Sequence, residues 1–259
     1  MNDRVLPLHG VHNFRDYGGY AVSGGGRLRR GVLWRSAQHQ DATDADLAAI
    51  DALDLADVVD LRGASERAAH PCRRGPGFAA NVHVPDGETT GLAPHLAAAH
   101  GALDAGAADR ALMTAYEGIP FRPGLLPMLR RYFDVLVDGR GASLVHCVAG
   151  KDRTGFAVAL FHSAVGVAKD DIMADYELTN VAGDAERRLA EGAALLRSRY
   201  AAADDATLRT LMAVRGAYIE RALSVVAAYE GGPEGYLAEV IGVTPARREL
   251  LRARYVEPV

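Results

Sequence analysis

Short apolar runs alternate with amphipathic stretches along the first two thirds of the chain. Ala56-Asp57-Val58-Val59-Asp60-Leu61 and Ala142-Ser143-Leu144-Val145-His146 are compact runs of the kind found in strands buried within a sheet. Between residues 44 and 53, Leu47, Ile50 and Leu53 recur every three positions behind an acidic first turn, which predicts an amphipathic helix. Upstream, the turn-rich 11–20 segment leads to Gly24-Gly25-Gly26, and three glycines able to take positive φ predict a β-hairpin whose return strand is 31–36. Residues 81–85 form a further extended run. Residues 123–137 place Leu125, Leu126, Leu129, Phe133 and Leu136 on one helical stripe, with Pro123 in the first turn and Gly139-Arg140-Gly141 as the stop. Residues 156–165 are an apolar helical run.

From residue 169 the pattern predicts helices throughout, over 169–180, 185–200, 206–229, 233–241 and 245–255. In 206–229, Leu211, Val214, Tyr218, Ala222, Val225 and Tyr229 recur every three or four residues, the spacing of one buried helix face. Thr244-Pro245 is an N-cap followed by an N1 proline. Strands alternating with helices and giving way to a helical tail predict one α/β domain over 1–259, a central sheet flanked by helices. Residues 86–117 interrupt it with an Ala-, Gly- and polar-rich insertion. Its pieces 96–103 and 108–116 favour short helices, and the whole reads as a lid or as surface decoration.

Composition narrows the chemistry. With 259 residues, 49% hydrophobic and 24% charged, the chain has ample material for a core and is not disordered. No apolar stretch is long enough to span a bilayer, and Asn2, Asp3 and Arg4 do not begin a signal peptide, so the expected location is the cytoplasm, although leaderless export leaves no readable mark. Two cysteines, Cys72 and Cys147, are too few for a disulfide framework or a four-ligand zinc site, and the nine histidines form no metal motif, so no metal or cofactor is expected. A net charge of −4 without a basic block argues against nucleic acid. Of the 29 basic residues only Lys151 and Lys169 are lysines, which draws attention to both. No pattern assigns an oligomeric state.

The richest segment is His146-Cys147-Val148-Ala149-Gly150-Lys151-Asp152-Arg153-Thr154-Gly155, set between a buried strand and a helix. A loop entering a helix presents unpaired N–H groups and the positive end of the helix dipole, which together bind anions. A cysteine there has its reactive thiolate stabilised. Arg153, six positions on, can grip two oxygens of a tetrahedral oxyanion with a planar fork that lysine lacks. Phosphate is the natural guest. The Cys-x5-Arg spacing alone is a weak signal in so arginine-rich a chain, and a lone cysteine is ordinarily a core residue. The flanking Gly150, Lys151, Asp152, Thr154 and Gly155 and the strand-to-helix context give the spacing its weight. A nucleotide P-loop is excluded, because it would need glycine at Val145 and a hydroxyl at Asp152.

This string resembles the active-site loop of cysteine-dependent phosphatases, in particular the bacterial tyrosine and dual-specificity phosphatases of the mycobacterial phosphatase B-like kind. The resemblance continues through Asn13-Phe14-Arg15-Asp16-Tyr17-Gly18-Gly19, Trp34-Arg35-Ser36-Ala37-Gln38, Asp60-Leu61-Arg62, the 176–180 segment and Gly235-Tyr236-Leu237, so it covers nearly the whole chain in order. The 86–117 insertion matches none of its motifs. The resemblance implies a protein-tyrosine-phosphatase-like α/β fold and a metal-independent phosphate monoester hydrolase. Phosphorylated proteins or phosphoinositides would be its substrates.

The expected roles follow. Cys147 attacks phosphorus to give a cysteinyl-phosphate that water then hydrolyses. The N–H groups of Val148, Ala149, Gly150, Lys151, Asp152 and Arg153, with the Arg153 guanidinium, hold the equatorial oxygens. Thr154 either hydrogen-bonds the sulfur or caps the helix. The leaving oxygen needs a proton, and Asp152, Asp60 at a strand end and Asp86 in Val84-Pro85-Asp86-Gly87 compete to supply it; the resemblance implies Asp152. Lys151 is expected to offer a flexible charge to a second phosphate, and Arg62 to add to a positive rim or to pair with Asp60 or Glu66. His146 orients the loop or is a satisfied core histidine. The competing readings are a phosphoinositide-selective lipid phosphatase, a phosphate-binding module without turnover, and a rhodanese-like or arsenate-reducing cysteine enzyme.

Overall fold

The computed structural model of the protein describes residues 3–90, 104–183 and 204–259. In chain order its strands are β1 (Arg15–Asp16), β2 (Arg27–Leu28), β3 (Leu33–Ser36), β4 (Leu55–Asp60), β5 (Asn81–His83), β6 (Ala142–His146) and β7 (Val256–Glu257). The main sheet runs β1-β3-β6-β4-β5, with β3, β6, β4 and β5 parallel and β1 antiparallel to β3. The two runs read as buried strands, β4 and β6, are neighbours at its centre. Their register sets Ser36, His146 and Asp60 side by side at the carboxyl ends of three parallel strands, the edge where open α/β sheets bind ligands.

The helices are α1 (Asp44–Asp51), α2 (Ala64–Ala69), α3 (Ala105–Gly118), α4 (Leu126–Asp138), α5 (Asp152–Val165), α6 (Lys169–Glu177), α7 (Thr179–Ala182), α8 (Asp205–Met212), α9 (Gly216–Ala227), α10 (Gly232–Gly235) and α11 (Pro245–Tyr255). Side-chain alternation along β4 and β6 gives the sheet two cores. Val58 and Leu144 face Phe14, Leu47 and Ile50, under α1. Val59 and Val145 face the larger cluster built from α4, α5, α6, α9 and α11. Helix α5 is buried on nearly all sides, which explains why its sequence is apolar without a polar face.

Several expectations change in detail. Gly24, Gly25 and Gly26 do take positive φ and turn the chain, but the bridge they close joins Ala21 to Arg27, while the expected return strand pairs with β1 in the main sheet. Pro123 precedes α4, and Pro127 fills the first-turn position. The C-terminal region is not wholly helical, because Val256–Glu257 pairs with β2. The 233–241 helix divides into α10 and a π-type turn at Tyr236–Ile241.

The continuous 206–229 helix is really α8 and α9, separated at 213–215. Its periodicity survives the break, yet tertiary bonds override it: Asn180 Oδ1 accepts from Val214 N–H (2.8 Å), Asn180 Nδ2 donates to Val214 O (2.9 Å), and Lys151 takes the Leu211 carbonyl. The expected helix 185–200 and the piece 96–103 lie outside the described residues. Of the insertion, 108–116 is helical as expected, within α3. Among the described residues no helix is long and apolar enough to cross a membrane.

Candidate active site

Between the end of β6 and the start of α5 the chain makes a tight loop, and its carbonyls are taken up from outside. Val148 O accepts from Gln38 N–H (3.0 Å), Ala149 O and Gly150 O from Asn13 Nδ2 (3.3 and 2.9 Å), and Gly150 O also from Arg35 Nη2 (2.8 Å). Because a trans peptide points its N–H opposite its C=O, fixing these carbonyls outward turns the following N–H groups inward. Among the described residues, no N–H from Val148 to Arg153 donates to a protein acceptor. Gly150 is needed for this bend. Its φ is +65°, and a Cβ there would sit 2.3 Å from Ser36 O.

Cys147 opens the loop and is buried. Arg153, in the first turn of α5, closes it. Its Nη1 donates to Glu66 Oε2 (2.6 Å), Thr89 Oγ1 (2.9 Å) and Leu61 O (3.2 Å), and its Nη2 to Glu66 Oε1 (2.8 Å). Burial favours loss of the guanidinium's charge, but the neighbouring Cys147, Glu66 and Asp152 outweigh it and raise its pKa. Glu66 is likewise pushed up by burial, and Arg153 more than reverses this, so the carboxylate stays ionised.

Behind the loop lies a sealed charge cluster. Arg35 Nη1 meets Asp175 Oδ2 at 2.6 Å, and Arg15 donates to Asp175 Oδ1 (3.4 Å), Asp175 O (2.8 Å), Thr179 Oγ1 (3.2 Å) and Asn13 Oδ1. Burial alone would raise the Asp175 pKa, but Arg15 and Arg35 hold it far below the usual carboxylate range. These contacts give physical content to the Asn13-to-Asp16 and Arg35 motifs. Among the described residues, Asn13 and Arg35 are the side chains from outside the loop that hold its carbonyls.

The other expected residues are placed as follows. Asp152 begins α5, with its side chain 37% exposed, and its Oδ1 accepts from Tyr116 Oη at 2.5 Å. Asp60 is held by the fork of Arg62, whose Nε and Nη2 reach its two oxygens at 2.8–3.2 Å. Burial would raise the Asp60 pKa, but His146 and Arg62 lower it overall. Arg62 therefore forms no free positive rim. It is 2% exposed and also donates to His70 O, Gln38 Oε1 and the Cys72 sulfur, while Glu66 goes to Arg153 instead.

Lys151 is not a free point charge either. It is buried, and its Nζ donates to Leu211 O (2.7 Å) at the carboxyl end of α8, where a cation complements the helix dipole. Thr154 is not a cap, since Lys151 holds the N-cap position; its Oγ1 is buried without a hydrogen-bond partner among the described residues. His146 is fully buried, with Nδ1 3.4 Å from Cys147 O, Nε2 3.7 Å from Asp60 Oδ2 and its ring stacked on His39. Burial pushes its pKa down to about 4. Asp86 is exposed, three residues before Thr89.

Residue-level reading missed Glu66, Thr89, Tyr116 and Asp175. Glu66, Thr89 and Tyr116 meet the loop across 87, 64 and 36 sequence positions, and Asp175 meets it through Arg35, so spacing carried no signal. The one clue was that Tyr116 sits in an otherwise weakly apolar insertion.

Residues 6–257 match the model of a family described as the tyrosine phosphatase family, and the chain belongs to it. It is accordingly an enzyme of the protein-tyrosine-phosphatase class, with phosphorylated protein as substrate. It is 33% identical over 258 residues to a protein of Cupriavidus necator named as a tyrosine-protein phosphatase, covering 97% of this chain and 88% of that one. It is 37% identical over 200 residues to the triple specificity protein phosphatase PtpB of Mycobacterium tuberculosis, covering 68% of this chain and 69% of the relative.

Proposed function

We propose that the enzyme hydrolyses phosphate monoesters through a cysteinyl-phosphate on Cys147, acting on phosphotyrosine in proteins. The observation that carries this reading is the loop itself: its carbonyls are taken up by Asn13, Arg35 and Gln38 N–H, which leaves its amides, between Cys147 and the start of α5, without a protein acceptor among the described residues. Cys147 Sγ attacks phosphorus as the P–O bond to the leaving group breaks, the amides and Arg153 hold the three equatorial oxygens, and water then cleaves the S–P bond. The buried, otherwise unpartnered Thr154 hydroxyl is suited to stabilise the departing thiolate in the second step.

Asp152 is the general acid in this reading. Asp60 is tied ionised to Arg62, and Asp86 is exposed outside the loop, whereas Asp152 is partly exposed beside Arg153. The engagement of Lys151 with α8 favours monophosphorylated substrates over a phosphoinositide-selective activity, since a second phosphate would have to compete with the Leu211 carbonyl for the ammonium. The mycobacterial relative is a triple specificity protein phosphatase, so breadth beyond phosphotyrosine, with phosphoserine, phosphothreonine and phosphoinositides as the candidates, is the wider specificity to measure.

The test is p-nitrophenyl phosphate turnover without added metal. Cys147→Ser is expected to lose about 10⁴-fold or more in kcat; a Ser variant as active as the parent would remove the nucleophile from this reading. A panel of phosphopeptides and inositol lipids at fixed pH and salt then ranks the substrates.

A further inference from the structure

We propose that Tyr116 and Tyr176 form a one-way hydroxyl chain that fixes which oxygen of Asp152 carries the proton given to the leaving group. The inference rests on Asp152 being the general acid. Tyr116 Oη lies 2.5 Å from Asp152 Oδ1 and 2.5 Å from Tyr176 Oη, and both tyrosines are 1% exposed. A carboxylate oxygen only accepts, so Tyr116 spends its single proton on Asp152 and its own oxygen is left to accept from Tyr176. With Oδ1 occupied by a donor, a proton gained by Asp152 rests on Oδ2. From there it passes to the leaving oxygen as the P–O bond breaks, and the hydrolytic water returns one to the same atom.

The packing holds both phenols in place. The Tyr116 ring stacks on Tyr218 (5.6 Å, 30°) and meets Tyr176 edge-on (6.2 Å, 80°). A Cβ at Gly155 would fall 2.9 Å from the Tyr176 ring, so this glycine lets α6 bring Tyr176 up to α5. Burial, and then the Asp152 charge, push both phenol pKa values well above the usual 10, so each keeps its proton at working pH. The charged and titratable groups around Asp152 are Tyr116 from α3, Tyr176 from α6, Lys151 (Nζ 3.6 Å from Oδ1) and Arg153 on its own element, and Arg122 beyond α3. Tyr116 belongs to the insertion, so the described part of that segment reaches the chemistry directly.

The experiment compares phenyl phosphate, a poor leaving group, with p-nitrophenyl phosphate, a good one. Tyr116→Phe keeps the ring and is expected to cost about tenfold in kcat on phenyl phosphate and about twofold or less on p-nitrophenyl phosphate. Tyr176→Phe moves both readouts the same way by less. Tyr218→Phe, which keeps the ring stacked on Tyr116 and removes a hydroxyl that bonds Asp109 on α3 rather than Asp152, leaves the leaving-group dependence unchanged. In an Asp152→Asn background, Tyr116→Phe has no further effect. Equal losses on both esters, or an undiminished Tyr116→Phe effect in that background, would overturn the chain. If Asp152→Asn itself slows both esters alike, the acid assignment fails and the inference with it; if Asp152→Asn behaves as an acid variant and Tyr116→Phe does not, the inference alone fails.

Discussion

Behind the loop, Arg15 and Arg35 share Asp175 with their side chains 2% exposed or less; in front of it, Arg153 grips Glu66, whose side chain is 22% exposed. The rear cluster is sealed and spends its hydrogen bonds on Asn13, Thr179 and the Gly150 carbonyl, so it acts as scaffold. In the proposed mechanism the front pair stands where the phosphate would dock, and Glu66 orients the Arg153 fork for it. A buried ion pair is weak evidence of stability, because desolvation opposes attraction, but removing one member leaves an uncompensated charge. The rear should therefore fail as a fold and the front as a catalyst.

Three measurements bear on that contrast. Arg153→Lys keeps the charge but loses the planar fork; it should lower kcat/KM by about 10³-fold while costing less unfolding stability than Asp175→Asn, because the ammonium still neutralises Glu66. A large stability loss would mean that the front pair is scaffold too. Asp175→Asn strands two buried guanidiniums and should cost about 3–5 kcal/mol in urea unfolding. Near-parental stability with lost turnover would reverse the assignment of the rear cluster.

The third measurement separates buried charges from buried neutral groups. Burial lowers the pKa of His146 to about 4 and that of His39 well below its ordinary value. In the unfolded chain imidazoles titrate near 6.5, so between about pH 6.5 and 4 the unfolded state binds more protons and stability falls as pH falls. His146 alone should account for about 3 kcal/mol by the bottom of that window, seen in denaturation curves from pH 7 downward. Asp175, Asp60 and Glu66, whose pKa values are depressed, should add losses from the foot of that window downward, as pH falls through their unfolded values of about 4 to 4.5. A flat profile across the window would mean that His146 does not stay neutral.

The central strands, α1, α5 and the Thr244-capped α11 were readable because short-range rules decide them: an apolar run, an acidic first turn, a proline at N1. Cys147 through Arg153 was readable because the loop is contiguous. The two-helix break at 213–215 was not, since Asn180 and Lys151 impose it from 30 to 60 positions away. Arg15 and Arg35 stood in recognisable motifs, yet nothing local says that both are buried against Asp175. Lys151 was read as a free charge, and Arg62 as either a rim charge or a partner of Asp60 or Glu66, because sequence shows a residue's type and not its partner; the Asp60 pairing is the one formed. A cation in a loop looks available until the carbonyl or carboxylate that holds it is seen.

Gly150 sets a limit on how this enzyme could be re-engineered. Its left-handed backbone and its closeness to Ser36 leave no room for a side chain, whereas Val148 and Ala149 on the same rim are half-buried and open to variation. Libraries that randomise the rim to retune substrate preference should therefore yield active clones diversified at those two positions, with glycine recovered at 150 in essentially every survivor.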